Sequence, residues 1–293
     1  MFFNDKKNGF LGLVLELTGR IFKDDTLAMR LNTTDLAGLA AEAIKAVAAA
    51  GDIIRDHWDR PSQVTRKGRI DLVTETDLAV EAALKQSLSR VLPGSTFLAE
   101  ESAETLDPGE LTWIIDPVDG TTNFAHRVPF VATSVALWSG GRSVLGFVNV
   151  PVMNEMFHAV LGGGAFLNGK PIAVSAIDTL EESLVATGFP YTVREDMRSL
   201  MADLENMLAN TQGVRRPGAA SVDLAYTAAG RFDAFYEIGL KPWDTAAGWL
   251  LVTEAGGRVT QYDPAAPYHL RSRSILASNG LLHDATAGLL GPI

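Results

Sequence analysis

Trp113-Ile114-Ile115-Asp116-Pro117-Val118-Asp119-Gly120-Thr121-Thr122-Asn123-Phe124 is the stretch from which the rest of the chain is read. An apolar run with strand preference ends at Asp116, where Pro117 fixes its own φ and holds the preceding residue extended. A turn is expected there, aiming the carboxylates of Asp116 and Asp119, with the Val118 carbonyl between them, at one point. Hard oxygen donors at a strand end suit magnesium, which takes few protein carboxylates and keeps positions for water and phosphate. Gly120-Thr121-Thr122 reads as the opening of a short helix whose free N–H groups face the same point and receive an anion. Taken alone, the segment is equally an Asp-Pro turn followed by an Asp helix cap.

Three acidic positions elsewhere bear on that choice. Glu100-Glu101 follows the apolar strand Phe97-Leu98-Ala99, as a ligand at a strand end should, though a Glu pair there also suits water. Trp243-Asp244-Thr245 opens a helix, where Asp is a favoured N-cap; Asp77, in Thr74-Glu75-Thr76-Asp77, has the same alternative. Around them helices and strands interleave. Residues 35–58 carry Leu36, Leu39, Ala43, Ile44 and Val47 at helical spacing. A short strand at 70–73 leads into a helix with Val80, Leu84, Leu88 and Val91 on one face, stopped by Pro93-Gly94. Strands are expected at 95–99 and 111–115, a strand-rich stretch at 130–175, strands at 183–186 and 234–237, and helices at 196–209, 221–229 and 244–255. No repeat or linker divides the chain, so two intimately packed lobes are expected.

Composition narrows the function classes. The 293 residues carry 25 Lys+Arg against 35 Asp+Glu, a net charge of −10. That balance offers no field for a nucleic-acid backbone. With 47% apolar residues a sizeable core can form, and without cysteine there are no disulfides, thiolate metal sites or thiol nucleophiles. No apolar run approaches the ~20 residues of a membrane span. Lys6-Lys7 and Phe10-Leu11-Gly12-Leu13-Val14-Leu15 imitate the start of an export signal, but Glu16 interrupts the run and no small-residue cleavage site follows. Residues 1–28 are therefore read as an extension, poorly ordered or packed on the body, of a cytoplasmic chain.

Gly164-Ala165-Phe166-Leu167-Asn168-Gly169-Lys170 matches part of a phosphate-binding loop, but Pro171 stands where a Ser or Thr must reach magnesium. Asn168-Gly169 between apolar residues is instead a hairpin signal. His57, His126, His158, His269 and His283 lack ligand spacing, and no Gly-x-Ser-x-Gly elbow occurs.

Taken in series, these motifs resemble the inositol monophosphatase family, the magnesium-dependent, lithium-sensitive phosphatases, over about residues 33–285. The carrying segments are Lys67 with Asp71-Leu72-Val73-Thr74-Glu75-Thr76-Asp77, Phe97-Leu98-Ala99-Glu100-Glu101-Ser102, Asp116 to Thr122, Arg216-Pro217-Gly218-Ala219-Ala220-Ser221, and Glu237 to Asp244. Ala99 replaces the usual glycine and Val118 a commoner Ile or Leu; Pro217 is unusual. The resemblance implies an α+β fold of the sugar phosphatase type, layered α-β-α-β-α, with a metal-binding lobe over residues 29–180 and a second lobe, 181–293, completing the site. It implies Glu100, Asp116 and the Val118 carbonyl around one magnesium ion, and Asp116, Asp119 and Asp244 around a second. Thr121 with Glu100 would orient the attacking water, and the Gly120 and Thr121 N–H groups would receive phosphate. Asp119, Ala220, Glu237 and Asp244 would contact the polyol. Lys67, Asp77 and Glu101 would support the ligands or hold a third ion, and a homodimer is implied.

The residue types fit phosphate monoester hydrolysis on their own chemistry, since charge neutralisation by two cations removes the need for a protein nucleophile. Attack by water is the economical route, and an aspartyl-phosphate through Asp116 competes with it. Inositol 1-phosphate is the expected substrate; histidinol phosphate, fructose 1,6-bisphosphate and adenosine 3′,5′-bisphosphate share the chemistry. A binding or regulatory protein that retains the metal site is the alternative from another class.

Overall fold

The computed structural model describes residues 33–59, 64–66, 72–190 and 192–292. Lys67, the start of the strand expected at 70–73, and the extension 1–28 lie outside the described residues. Helix α1 (Thr33–His57) buries Leu36, Ala40, Ala43, Val47, Ala50 and Ile54 along one stripe. After the antiparallel pair β1 (Val64–Arg66) and β2 (Leu72–Thr74), helix α2 (Glu75–Val91) opens on a capping box. The Thr76 N–H donates to Thr74 Oγ1 at 3.2 Å and the Thr74 N–H to Asp77 Oδ2 at 2.9 Å.

A seven-stranded sheet follows in sequence order: β3 (Thr96–Ala99), β4 (Leu111–Asp119), β5 (Ala132–Ser139), β6 (Arg142–Val150), β7 (Glu155–Val160), β8 (Gly164–Leu167) and β9 (Lys170–Pro171). Only β3 and β4 pair in parallel. The β8–β9 hairpin turns on Asn168 and Gly169, both at positive φ, as its sequence predicts. A five-stranded sheet comprises β10 (Leu184–Thr187), β11 (Gly213–Arg215), β12 (Ala234–Ile238), β13 (Arg258–Thr260) and β14 (Ser274–Ser278), in spatial order β11-β10-β12-β14-β13. The remaining helices are α3 (Thr121–Ala125), α4 (Met197–Asn210), α5 (Ala220–Ala228), α6 (Pro242–Glu254) and α7 (His283–Ala287).

Alternation along the strands sets the layers. Trp113 and Ile115 of β4 pack in one core with α1 and α2, while Ile114 faces a second core that holds Val222 and Leu224 of α5, Leu251 of α6 and Phe235 of β12. On the far side of β12, Ala234, Tyr236 and Ile238 pack with Leu200 and Met207 of α4. The order is therefore α1 and α2, the seven-stranded sheet, α5 and α6, the five-stranded sheet, then α4: the layered α-β-α-β-α arrangement the resemblance implies. Each large core side chain fully removed from water, Trp113, Phe147 and Phe235 among them, contributes roughly 1.5–3 kcal/mol. Among the described residues no helix is long and apolar enough to cross a membrane.

Candidate active site

Strand β4 does not turn at Asp116. It continues to Asp119 through a bulge, because Asp116 pairs with Ser134 and Asp119 with Ala132, leaving Pro117 and Val118 opposite Thr133 alone. Pro117 has no N–H to donate to a ladder, and its carbonyl is taken by the Thr133 hydroxyl at 3.0 Å. The bulge achieves what the expected turn was to do, bringing Asp116, the Val118 backbone and Asp119 to one cavity. Gly120 then takes φ +90, where a Cβ would stand 2.7 Å from the Phe130 carbonyl oxygen, so only glycine leads β4 into α3.

Glu100, Asp116, Val118, Asp119, Gly120, Thr121, Ala220, Glu237 and Asp244 all line this cavity of about 410 Å³. Asp77 and Glu101 are not among its lining residues. Asp77 is the N3 residue of the α2 capping box, and its Oδ1 accepts from Thr121 Oγ1 at 3.2 Å. The same threonine hydroxyl is 3.0 Å from the Val118 carbonyl. Asp244 is not the N-cap of α6: Lys241 is, and Asp244 at N3 accepts the Lys241 N–H at 2.6 Å. Asp119 Oδ2 accepts the Ser221 N–H at 2.7 Å and the Ser221 hydroxyl, which joins β4 to α5. Glu237, on the side of β12 that faces α5, lies directly against Gly188, where any Cβ would collide with its carboxylate.

These acids crowd one another. Burial pushes Asp116 well above the ordinary carboxylate range, and the nearby Glu100, Asp119, Asp244 and Asp77 push it further. Asp119 is pushed up to about 6, chiefly by burial, against the restraint of its Ser221 hydrogen bonds. Burial and then Asp119 raise Asp244 well above its usual value. Glu237 is pushed up to about 8 by burial, which Arg216 opposes and Asp119 reinforces. A buried group of carboxylates in this condition is short of positive charge. Glu100, Asp116, Asp119, Asp244 and the Val118 carbonyl are all hard oxygen donors, the set that could hold a divalent cation. Among the described residues no three acidic or imidazole side chains close on one point by themselves.

Sequence reasoning gave no role to four charged residues here. Arg216 and Lys241 line the cavity, with the Arg216 guanidinium 5.5 Å from the centre of the Phe189 ring. Asp223 of α5 is 1% exposed with neither oxygen hydrogen-bonded, and burial and Glu237 raise it well above its usual range. Glu81 is buried one turn beyond Asp77. The available signals were an acid inside the apolar helix 220–228 and the i, i+4 spacing of Asp77 and Glu81. Among the described residues no histidine lines the cavity; His283 is buried between Thr260 and Ser278.

The inositol monophosphatase family model matches residues 35–292. The chain belongs to that family. Its members are metal-dependent phosphatases, and this inositol monophosphatase family member is accordingly a hydrolase of phosphate monoesters. The chain is 42% identical over 240 residues to an inositol-1-monophosphatase of Caulobacter vibrioides, covering 80% of this chain and 93% of that one. It is 40% identical over 240 residues to the Nus factor SuhB of Escherichia coli, covering 81% and 90%. The solved inositol monophosphatase of Anabaena superposes with a TM-score of 0.79 at 37% identity, over 88% of this chain and 98% of that one.

Proposed function

We propose that the site hydrolyses the phosphate monoester of a small polyol, inositol 1-phosphate foremost, with two or three magnesium ions held by its own carboxylates. The observation that carries this reading is the meeting of Glu100, Asp116, Asp119 and Asp244 with the Val118 backbone at one cavity that Glu237 also lines. Glu100, Asp116 and the Val118 carbonyl would hold one ion, and Asp116, Asp119 and Asp244 another. Magnesium there supplies charge neutralisation for the phosphate and acidifies water.

The chain's own groups do the rest. Thr121, restrained by Asp77 and Val118, offers its hydroxyl oxygen with Glu100 to orient the attacking water. The Gly120 and Thr121 N–H groups receive phosphate oxygens. Glu237, Asp119 and Asp244 accept hydrogen bonds from polyol hydroxyls, which ionised acids do and hydroxyls readily supply. The Ala220 backbone borders the same polyol, and Lys67, Asp77 and Glu101 support the ligands or a third ion. In this reading residues 29–180 form the metal-binding lobe and 181–293 complete the site, in a cytoplasmic homodimer.

Phosphate release from inositol 1-phosphate, with and without magnesium and then with lithium, tests the reading. Activity that needs magnesium and falls with lithium supports it, and inactivity in every buffer removes the substrate assignment. Comparing kcat/KM with histidinol phosphate, fructose 1,6-bisphosphate and adenosine 3′,5′-bisphosphate decides the substrate. A role in association alongside catalysis is the second reading, favoured by the relative named Nus factor SuhB.

A further inference from the structure

Glu100 follows β3 in a tight turn, and what fixes that turn is not in the cavity. Upstream, the Glu100 N–H donates to the Ile115 carbonyl of β4 at 3.1 Å. Downstream, the Glu101 N–H donates to Glu81 Oε2 at 2.9 Å, and the Ser102 hydroxyl donates to Glu81 Oε1 at 2.6 Å. Lys85, one turn further along α2, donates to Glu81 Oε1 at 2.8 Å and also contacts the Ser102 hydroxyl. Both oxygens of Glu81 are thus committed, its side chain is 7% exposed, and Lys85 balances its charge beside a site already rich in acid. Four residues before Glu81 on the same helix, Asp77 holds the Thr121 hydroxyl. Residues four apart lie on one helix face.

We propose that Glu81 is a further positioning residue of the reaction, setting Glu100 from the same face of α2 that carries Asp77, the acceptor of the Thr121 hydroxyl. The inference rests on the reading of Glu100 as a magnesium ligand and water-orienting group. Glu81 does not line the cavity. It clamps the peptide following Glu100 to α2, so that the carboxylate of Glu100 is presented at a fixed depth beside Asp116. Removing it takes away the acceptor of the Glu101 N–H and of the Ser102 hydroxyl and frees the turn to move. Groups that orient metal-holding side chains in this way change affinity or rate by about 10- to 100-fold when lost.

The test uses the full chain and compares Glu81→Ala and Glu81→Gln with the parent protein. Magnesium binding is followed by calorimetry, and kcat and KM for inositol 1-phosphate are measured well below the melting temperature. Glu81→Ala is expected to weaken magnesium binding and lower kcat by about tenfold each, with KM within about twofold. Glu81→Gln keeps an acceptor for the Glu101 N–H and is expected to fall between Glu81→Ala and the parent. A purely structural Glu81 would lower the melting temperature and leave magnesium affinity and kcat unchanged, which would overturn the inference. If Glu81→Ala does not fold, Glu81→Gln decides by the same measurements, a parent-like magnesium affinity and kcat again counting against it. A parent protein that binds no magnesium defeats the functional reading itself, and this inference with it. A parent that binds magnesium and turns over, beside variants indistinguishable from it, defeats only the inference.

Discussion

Glu237 provides the sharpest test of how the site is built. Its carboxyl is pushed up to about 8 from an ordinary 4.5, so in the folded, metal-free protein it keeps a proton that the unfolded chain has already released. A carboxyl raised in this way contributes its full stability below the unfolded value and loses it as pH climbs through the folded one, here from about pH 4.5 to about pH 8. At 1.36 kcal/mol per unit, the loss between pH 5 and pH 9 is about 4 kcal/mol. Glu237→Gln has no such proton and is spared that loss. In a chain of this size 1 kcal/mol moves the melting temperature by about 2 °C, so in chelator the variant should gain about 8 °C on the parent between pH 5 and pH 9. Thermal unfolding followed by circular dichroism at half-unit pH steps measures the gap. Parallel curves, or a gap that closes with rising pH, would refute the placement of Glu237 as a buried acid that Arg216 offsets only in part.

Asp119→Asn should reduce phosphate release in magnesium buffer to the detection limit while far-ultraviolet circular dichroism stays unchanged; undiminished turnover would remove Asp119 from the site. Gly188→Ala places a methyl group on the Glu237 carboxylate and should raise KM for inositol 1-phosphate about tenfold, or 1.4 kcal/mol, with little change in kcat. Steady-state kinetics over a range of substrate concentrations separates the two constants. Thr74→Ala removes the N-cap of α2 and should cost about 1 kcal/mol in chemical denaturation, with an unchanged m-value.

Much of this was open to a reader of the string, because the signals were local. Period-3.6 stripes in 35–58 and 75–91, the Asn168-Gly169 hairpin and the Asp-Pro stretch after an apolar strand each depend on neighbours within a few residues. What escaped depended on distant partners. The continuation of β4 past Asp116 is decided by β5, which pairs across the bulge and supplies Thr133 to the Pro117 carbonyl. The cap position offered for Asp244 is three residues from its place at N3, because Lys241 takes the extended cap conformation before Pro242. Glu81 has no role in the sequence reading, because its partners Glu101 and Ser102 are about twenty residues away along the chain. Strands β13 and β14 and helix α7 are short and enter no stretch that the motifs could anchor.

The hydrogen bonds from Ser221 to Asp119 span two layers of the molecule, from the end of a strand in the larger sheet to the first turn of a helix that packs against the smaller one. An ion shared by Asp119 and Asp244 would therefore report on the alignment of those layers as well as on the acids that touch it. A slight slide of the larger sheet over these helices, too small to disturb the sheet's own pairing, would register as weaker affinity for the ion. Metal titration could in this way expose strain from substitutions far outside the cavity while spectroscopic measures of secondary structure still look native.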